Sequence, residues 1–107
     1  MNIKEFSIVT FDEGNDYQRK PKIVCNDGFT MSVQGSTTHY CQPRDTVSHY
    51  LTMEIGFPSV KEELIMPFVE DETRPTDTVY ARVPCEIIDD VLKKHGGINI
   101  EKTFSKK

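Results

Sequence analysis

The tightest constraint on this chain's fold is the dipeptide Asp27-Gly28 and the two apolar runs flanking it. Asp-Gly between strand-forming residues signals a two-residue hairpin, because a type I′ turn needs positive φ at both central positions. Residues 23–26 and 29–34 therefore read as antiparallel neighbours. In the second run Phe29, Met31 and Val33 alternate with Thr30, Ser32 and Gln34, which makes one face buried and one wet.

The rest of the chain extends this pattern. His49, Leu51, Met53 and Ile55 alternate with Tyr50, Thr52 and Glu54 until Gly56-Phe57-Pro58 ends the run, and Val79, Ala81 and Val83 alternate with Thr78, Tyr80 and Arg82. Residues 3–11, rich in Phe, Ile and Val, suit a further strand. Ser59-Val60-Lys61-Glu62 fits a capping box and predicts a short helical turn near 60–65. The best-punctuated helix follows. Pro84 suits a first helical position, and Ile87, Ile88, Val91 and Leu92 form one apolar stripe. Glu86, Asp89 and Asp90 lie toward its positive end and Lys93, Lys94 and His95 at its negative end. Gly96-Gly97 supplies a left-handed cap. Strands followed by a helix predict an α+β fold, an antiparallel β-sheet followed by a C-terminal helix. A single small domain over residues 1–107 is expected, with loops at 12–20 and 70–77 and a tail at 99–107. Ile98 just ahead of that tail, with Ile100 and Phe104 inside it, could pack on the body or on a partner.

At 107 residues, folding buries roughly 65% of the unfolded chain's surface. With 36% hydrophobic residues and no Trp, the core is lean. No apolar stretch approaches the ~20 residues of a membrane span, and residues 1–5 lack the apolar run of a signal peptide. Cys25, Cys41 and Cys85 make an odd count without CxxC spacing, which reads as reduced cytoplasmic thiols. A net charge of −4 argues against binding a nucleic-acid polymer, which normally meets a basic face. The basic residues cluster early (Arg19, Lys20, Lys22) and late (Lys93, Lys94, Lys102, Lys106, Lys107), with Glu62, Glu63, Glu70, Asp71 and Glu72 between them.

Conventional catalytic sets are poorly represented. Cys41 lies two residues from His39, but sequence neighbours rarely meet in nucleophile–base geometry, and no orienting acid is evident. His39, Cys41 and His49 match no standard metal spacing. Asp89 with Asp90, and Glu62 with Glu63, read as solvated or dipole-compensating acids rather than catalytic pairs, since helical neighbours do not face each other. The segment from Gln34 to Arg44 is different. Its hydroxyls, the Tyr40 ring, the His39 imidazole and the Arg44 guanidinium are groups that bind a nucleotide, although Arg44 paired to a surface acid is the plainer reading.

Five strings together carry a family likeness: Met31-Ser32-Val33-Gln34-Gly35-Ser36, His39-Tyr40-Cys41-x-Pro43-Arg44, Glu54-Ile55-Gly56-Phe57-Pro58-Ser59, Val83-Pro84 and Lys94-His95-Gly96-Gly97-Ile98. Over residues 28–98 the chain resembles the first type of Thoeris anti-defence protein, a phage-encoded sponge family. The resemblance implies a non-enzymatic protein that sequesters cyclic ADP-ribose isomers made by bacterial Toll/interleukin-receptor-domain enzymes. It also implies a cyclic oligonucleotide as a possible second ligand, no cofactor, and action in the cytoplasm of the infected host. A small chain rarely encloses so large a ligand, so a homo-oligomer, at least a dimer, is expected. The alternative is a phage accessory module that binds a protein and no small molecule. The resemblance and the chemistry together make Arg44 the leading phosphate cation. Phe68 is the leading base-stacking ring, with Phe57 and Tyr40 as substitutes, although Phe68 and Phe57 read equally as core. Lys94 and His95 either cap the helix dipole or reach a phosphate across a dimer interface. Gln34, Ser36, Thr78 and Arg82 are secondary polar candidates. Where members of the family use an arginine on the late helix, this chain has Lys93 and Lys94.

Overall fold

A four-stranded antiparallel meander organises the protein. In the computed structural model β1 (Ile23–Val24), β2 (Thr30–Gln34), β3 (Thr52–Gly56) and β4 (Val79–Pro84) lie in the spatial order β1-β2-β3-β4. Helices α1 (Ile3–Val9), α2 (Cys85–Lys94) and α3 (Ile100–Thr103) and a 3₁₀ helix (Glu63–Phe68) complete an α+β architecture. The structure describes residues 1–16 and 18–105. Tyr17 of the 12–20 loop and Lys106 and Lys107 of the tail lie outside the described residues. No helix among the described residues is long and apolar enough to cross a membrane.

The β1–β2 hairpin forms as an antiparallel pair, but its turn is not type I′. Among the turn residues only Gly28 has positive φ (96°). The Gly28 N–H donates to the Cys25 carbonyl at 3.0 Å and the Cys25 N–H to the Phe29 carbonyl at 2.8 Å. This is a three-residue loop with glycine in its left-handed position.

The first element departs from expectation: residues 3–9 are helical, not a strand. Asn2 and Glu5 form a reciprocal capping box, each side chain accepting the other's backbone N–H at 2.8 Å. The helix then buries Ile3, Phe6 and Ser7 on one face and leaves Ile8 and Val9 in solvent. The β-propensity of its residues yields to the cap and to packing. The short helix after β3 is also displaced. Ser59 pairs instead with Thr30, accepting its N–H at 3.0 Å and donating to its carbonyl at 2.8 Å. Glu62 becomes the cap of the 3₁₀ helix, accepting the Leu64 N–H at 2.9 Å.

Two strand phases change as well. β3 starts at Thr52, with Leu51 75% exposed and Tyr50 buried, the reverse of the expected alternation at 49–51. Along β4, Tyr80 and Val83 are fully buried while Val79 and Ala81 are only half-buried. A bulge is responsible. β3 advances from Met53 to Ile55 while β4 advances from Tyr80 to Val83, so β4 carries an extra residue, and Arg82 takes φ 50°.

Helix α2 begins at Cys85, one residue later than read, with Pro84 as its N-cap and the last residue of β4. Its buried stripe is Ile88, Val91 and Leu92, with Ile87 half-buried. The Gly97 N–H closes the helix on the Leu92 carbonyl at 2.7 Å, with Gly96 and Gly97 both at φ 86°. The chain then returns to the sheet edge, where Ile98 bridges Cys25 and the Asn99 N–H donates to the Val24 carbonyl at 2.7 Å. The sheet residues Met31, Val33, Met53, Ile55, Tyr80 and Val83 join Ile3 and Phe6 of α1 and the α2 stripe in one core. Each such side chain contributes about 1.5–3 kcal/mol on burial. Phe104 packs against that core and lies 6.0 Å from the Phe6 ring. Of Ile98, Ile100 and Phe104 only Ile100 stays exposed, so the tail gives little motive for a partner.

Candidate functional site

The loop after β2 is shaped by an intimate contact. A Cβ on Gly35 would sit 2.6 Å from the Tyr50 ring, so only glycine lets the strand end against that aromatic. The Tyr50 hydroxyl donates to the Asp45 carbonyl at 2.7 Å and accepts the Val47 N–H at 3.1 Å, tying the far side of the loop. Between these anchors, Ser36 Oγ lies 2.6 Å from His39 Nδ1 and accepts the Thr38 N–H at 3.1 Å. Backbone bonds between Gln42 and residues 51–52 hold the loop along β3. Ser36 and Gln34 are accordingly internal fasteners. Ser36 is fully buried, and Gln34 clamps the Lys20 backbone from both ends, accepting at 2.8 Å and donating at 2.9 Å. Lys20 itself is buried, its ammonium pushed down to about 8 by burial, so it is not part of a basic surface.

This scaffold presents Tyr40. The Arg44 guanidinium carbon lies 5.6 Å from the Tyr40 ring centroid and that of Arg82 lies 5.8 Å from it, both within cation–π range. Arg82 arrives there because of the bulge, with its N–H donating to the Tyr40 carbonyl at 3.0 Å. Glu54 accepts the Tyr40 N–H at 3.1 Å and orients the residue. Tyr40, Arg44 and Arg82 are all exposed, and neither arginine forms a salt bridge among the described residues. Three of the expected binding residues thus converge on one outward-facing platform.

The others do not join it. Thr78 is buried and accepts the Asp71 N–H at 3.2 Å. Phe57 follows β3 with φ 51° and is 46% exposed, while Phe68 is half-buried against the core at the end of the 3₁₀ helix. Lys94 and His95 form a second, saturated cluster. Lys94 Nζ lies 3.0 Å from Glu62, and His95 contacts Asp27 at 2.6 Å and Glu62 at 2.7 Å. The Phe29 ring stacks on the imidazole at 4.0 Å and 12°. Glu62 is buried, not a solvated acid, whereas Glu63 is exposed and pairs with Lys61 at 3.2 Å. Burial opposes the Glu62 charge, but the Leu64 N–H, His95 and Lys94 outweigh it and hold the carboxyl below its usual range. Asp27 and Glu62 are the residues that the sequence reading missed as partners of His95. In the sequence Asp27 reads as a turn residue alone.

The thiols are placed for packing. Cys41 is buried and donates to the Ser36 and Pro43 carbonyls at 3.4 and 3.3 Å, and burial raises its pKa. Burial likewise pushes Cys25 and Cys85 up to about 11. Burial holds His39 below its ordinary value, and its Nδ1 faces Ser36 instead of Cys41. Among the described residues no group of His, Cys, Asp and Glu is arranged to hold a metal ion. Compared with family models, curated proteins and solved structures, the chain matches none.

Proposed function

We propose that the protein captures a cyclic ADP-ribose isomer and holds it intact, as a phage sponge against Toll/interleukin-receptor signalling. The observation that carries this reading is the Tyr40 platform, whose two guanidiniums form no ion pair among the described residues. An arginine fork matches a phosphate bidentately, two of them suit a pyrophosphate, and an aromatic ring offers a stacking face to a purine. A Cys41 thiol raised in pKa by burial and a His39 Nδ1 engaged by Ser36 favour retention over cleavage.

The scale of the surface supports capture between copies of the chain. Three of its depressions measure about 310, 280 and 380 Å³, at the lower end for ligand pockets. The platform lines none of these three, and in this reading a second protomer supplies the opposing wall.

The test is to incubate the protein with the product of a Toll/interleukin-receptor-domain enzyme, remove free nucleotide by filtration, and identify by mass spectrometry what heat releases. Intact cyclic ADP-ribose isomer is expected, from a species larger than one chain by light scattering. Release of cleaved nucleotide, or of nothing, overturns the proposal.

A further inference from the structure

Both nitrogens of the His95 ring end on carboxylates, Nδ1 on Asp27 Oδ2 at 2.6 Å and Nε2 on Glu62 Oε1 at 2.7 Å. An ionised carboxylate only accepts hydrogen bonds, and a neutral imidazole has one N–H to give. A neutral ring would therefore turn a lone pair toward one carboxylate at hydrogen-bond distance. For Glu62, whose side chain is 1% exposed, water could not relieve the clash. We propose that His95 is an imidazolium in the folded protein and works as a proton-operated latch between the 26–28 turn, Glu62 ahead of the 3₁₀ helix, and the C-terminal end of α2.

The latch has an order of release. Asp27 is 48% exposed at its side chain and can be rehydrated, whereas Glu62 cannot. On losing a proton the ring keeps its remaining N–H on Glu62 and lets go of Asp27. The charged groups around the ring favour the protonated form. Asp27 faces it from the turn and Glu62 from the segment before the 3₁₀ helix, while Lys94 on its own helix shares Glu62 at 3.0 Å. Burial works against the imidazolium, yet the bonds and charges of Glu62 and Asp27 prevail and raise its pKa. Phe29 stacks on one face of the ring. Release stays local, because Asn26 remains bonded to the Gly97 carbonyl at 3.0 Å through its backbone and to the Gly96 carbonyl at 2.7 Å through its side chain. The loosened turn borders the open depression lined by Asp27, Gly28, Phe29, Ser59, Val60 and His95.

This inference is independent of any ligand, and NMR titration of the full chain tests it. The His95 Cε1 proton is expected to titrate above the free-imidazole midpoint of about 6.5. Glu62→Gln and Asp27→Asn should each lower that midpoint, Glu62→Gln more. Exchange of the Asp27 and Gly28 amides, corrected for intrinsic base catalysis, should rise through the same midpoint while the Asn26 and α2 amides stay protected. A midpoint at or below 6.5, or corrected exchange flat across it, overturns the latch. Should Glu62→Gln fail to fold, the parent titration and Asp27→Asn decide, an unmoved midpoint in Asp27→Asn counting against it.

Discussion

Two regions of the molecule hold its most suggestive cations, and they are built on opposite principles. Around Tyr40, Arg44 and Arg82 stand in solvent near one aromatic ring, with no acid paired to either among the described residues. Around His95, every charge is answered: Lys94 and His95 meet Glu62, and His95 meets Asp27. Either set reads as a phosphate site in the one-dimensional chain. Folding separates available charge from charge already spent on the structure. In the proposed reading a phosphate at the platform displaces no acid among the described residues, whereas at His95 it must displace a buried carboxylate.

Removing Glu62 should have the largest effect, since it breaks the saturated region from inside. Glu62→Ala leaves the imidazolium and the Lys94 ammonium without their shared partner and strips the cap from the 3₁₀ helix. Breaking a buried pair from one side costs about 3 kcal/mol or more, a fall on the order of 10 °C in melting temperature for a chain of this size. Calorimetric melting checks this, and a change of only a degree or two would mean that Glu62 is not the keystone of that region.

The platform should respond in the opposite way, losing binding without losing stability. Arg44→Ala is expected to weaken nucleotide capture roughly tenfold to a hundredfold, the worth of one charge-assisted bond, with an unchanged melting temperature. Arg44→Lys should recover part of this, keeping the charge but losing the fork. Arg82→Gly sharpens the contrast, because Arg82 sits at φ 50°. Glycine relieves a left-handed strain of about 1 kcal/mol while deleting the guanidinium, so affinity should fall as stability holds or rises. Titration calorimetry with melting controls reads both quantities.

The two regions should also differ in their response to pH. His95 has a raised pKa, so its stabilisation is complete below its unfolded value and is lost as pH climbs through the folded one. Glu62 and Asp27 are lowered, Asp27 first by the Phe29 N–H and then by His95, so their stabilisation is complete above their unfolded values and is lost as pH falls through the folded ones. Melting temperature should therefore peak between these limits, which the saturated region sets. In His95→Gln the alkaline decline should flatten, and a decline as steep as the parent's would place its origin elsewhere.

How far these regions were legible in the sequence depends on whether the signal was local. The antiparallel sheet, the β1–β2 pairing and the glycine end of α2 follow from neighbours in the chain, and the structure bears them out, while α2 itself starts one residue after Pro84. The helical start was equally local, since Asn2 and Glu5 have the capping-box spacing, but the β-branched and aromatic content of residues 3–11 outweighed it in the reading. The bulge at Arg82 was not legible. It depends on register against β3, yet it turns Tyr80 inward and carries Arg82 to Tyr40. That Arg44 and Tyr40 lie together is legible because both belong to one loop, whereas the Glu62–His95 pair joins residues 33 positions apart.

Cys41→Ser should produce the smallest change, and it decides between holding a nucleotide and cutting one. Cys41 lies in the same loop as Tyr40 and Arg44, so a functional thiol there would make the platform an active site. Its thiol is instead buried, donates to the Ser36 and Pro43 carbonyls, and is raised in pKa by burial. A serine hydroxyl can make similar bonds, and the cost of placing a more polar atom there should stay near 1 kcal/mol, within the usual range for point substitutions. Capture should be nearly unchanged by calorimetry, and the nucleotide recovered after heating should be as intact as from the parent. If the parent were found to cleave the nucleotide and Cys41→Ser abolished that cleavage, the thiol would be a nucleophile and the sequestration reading would fail.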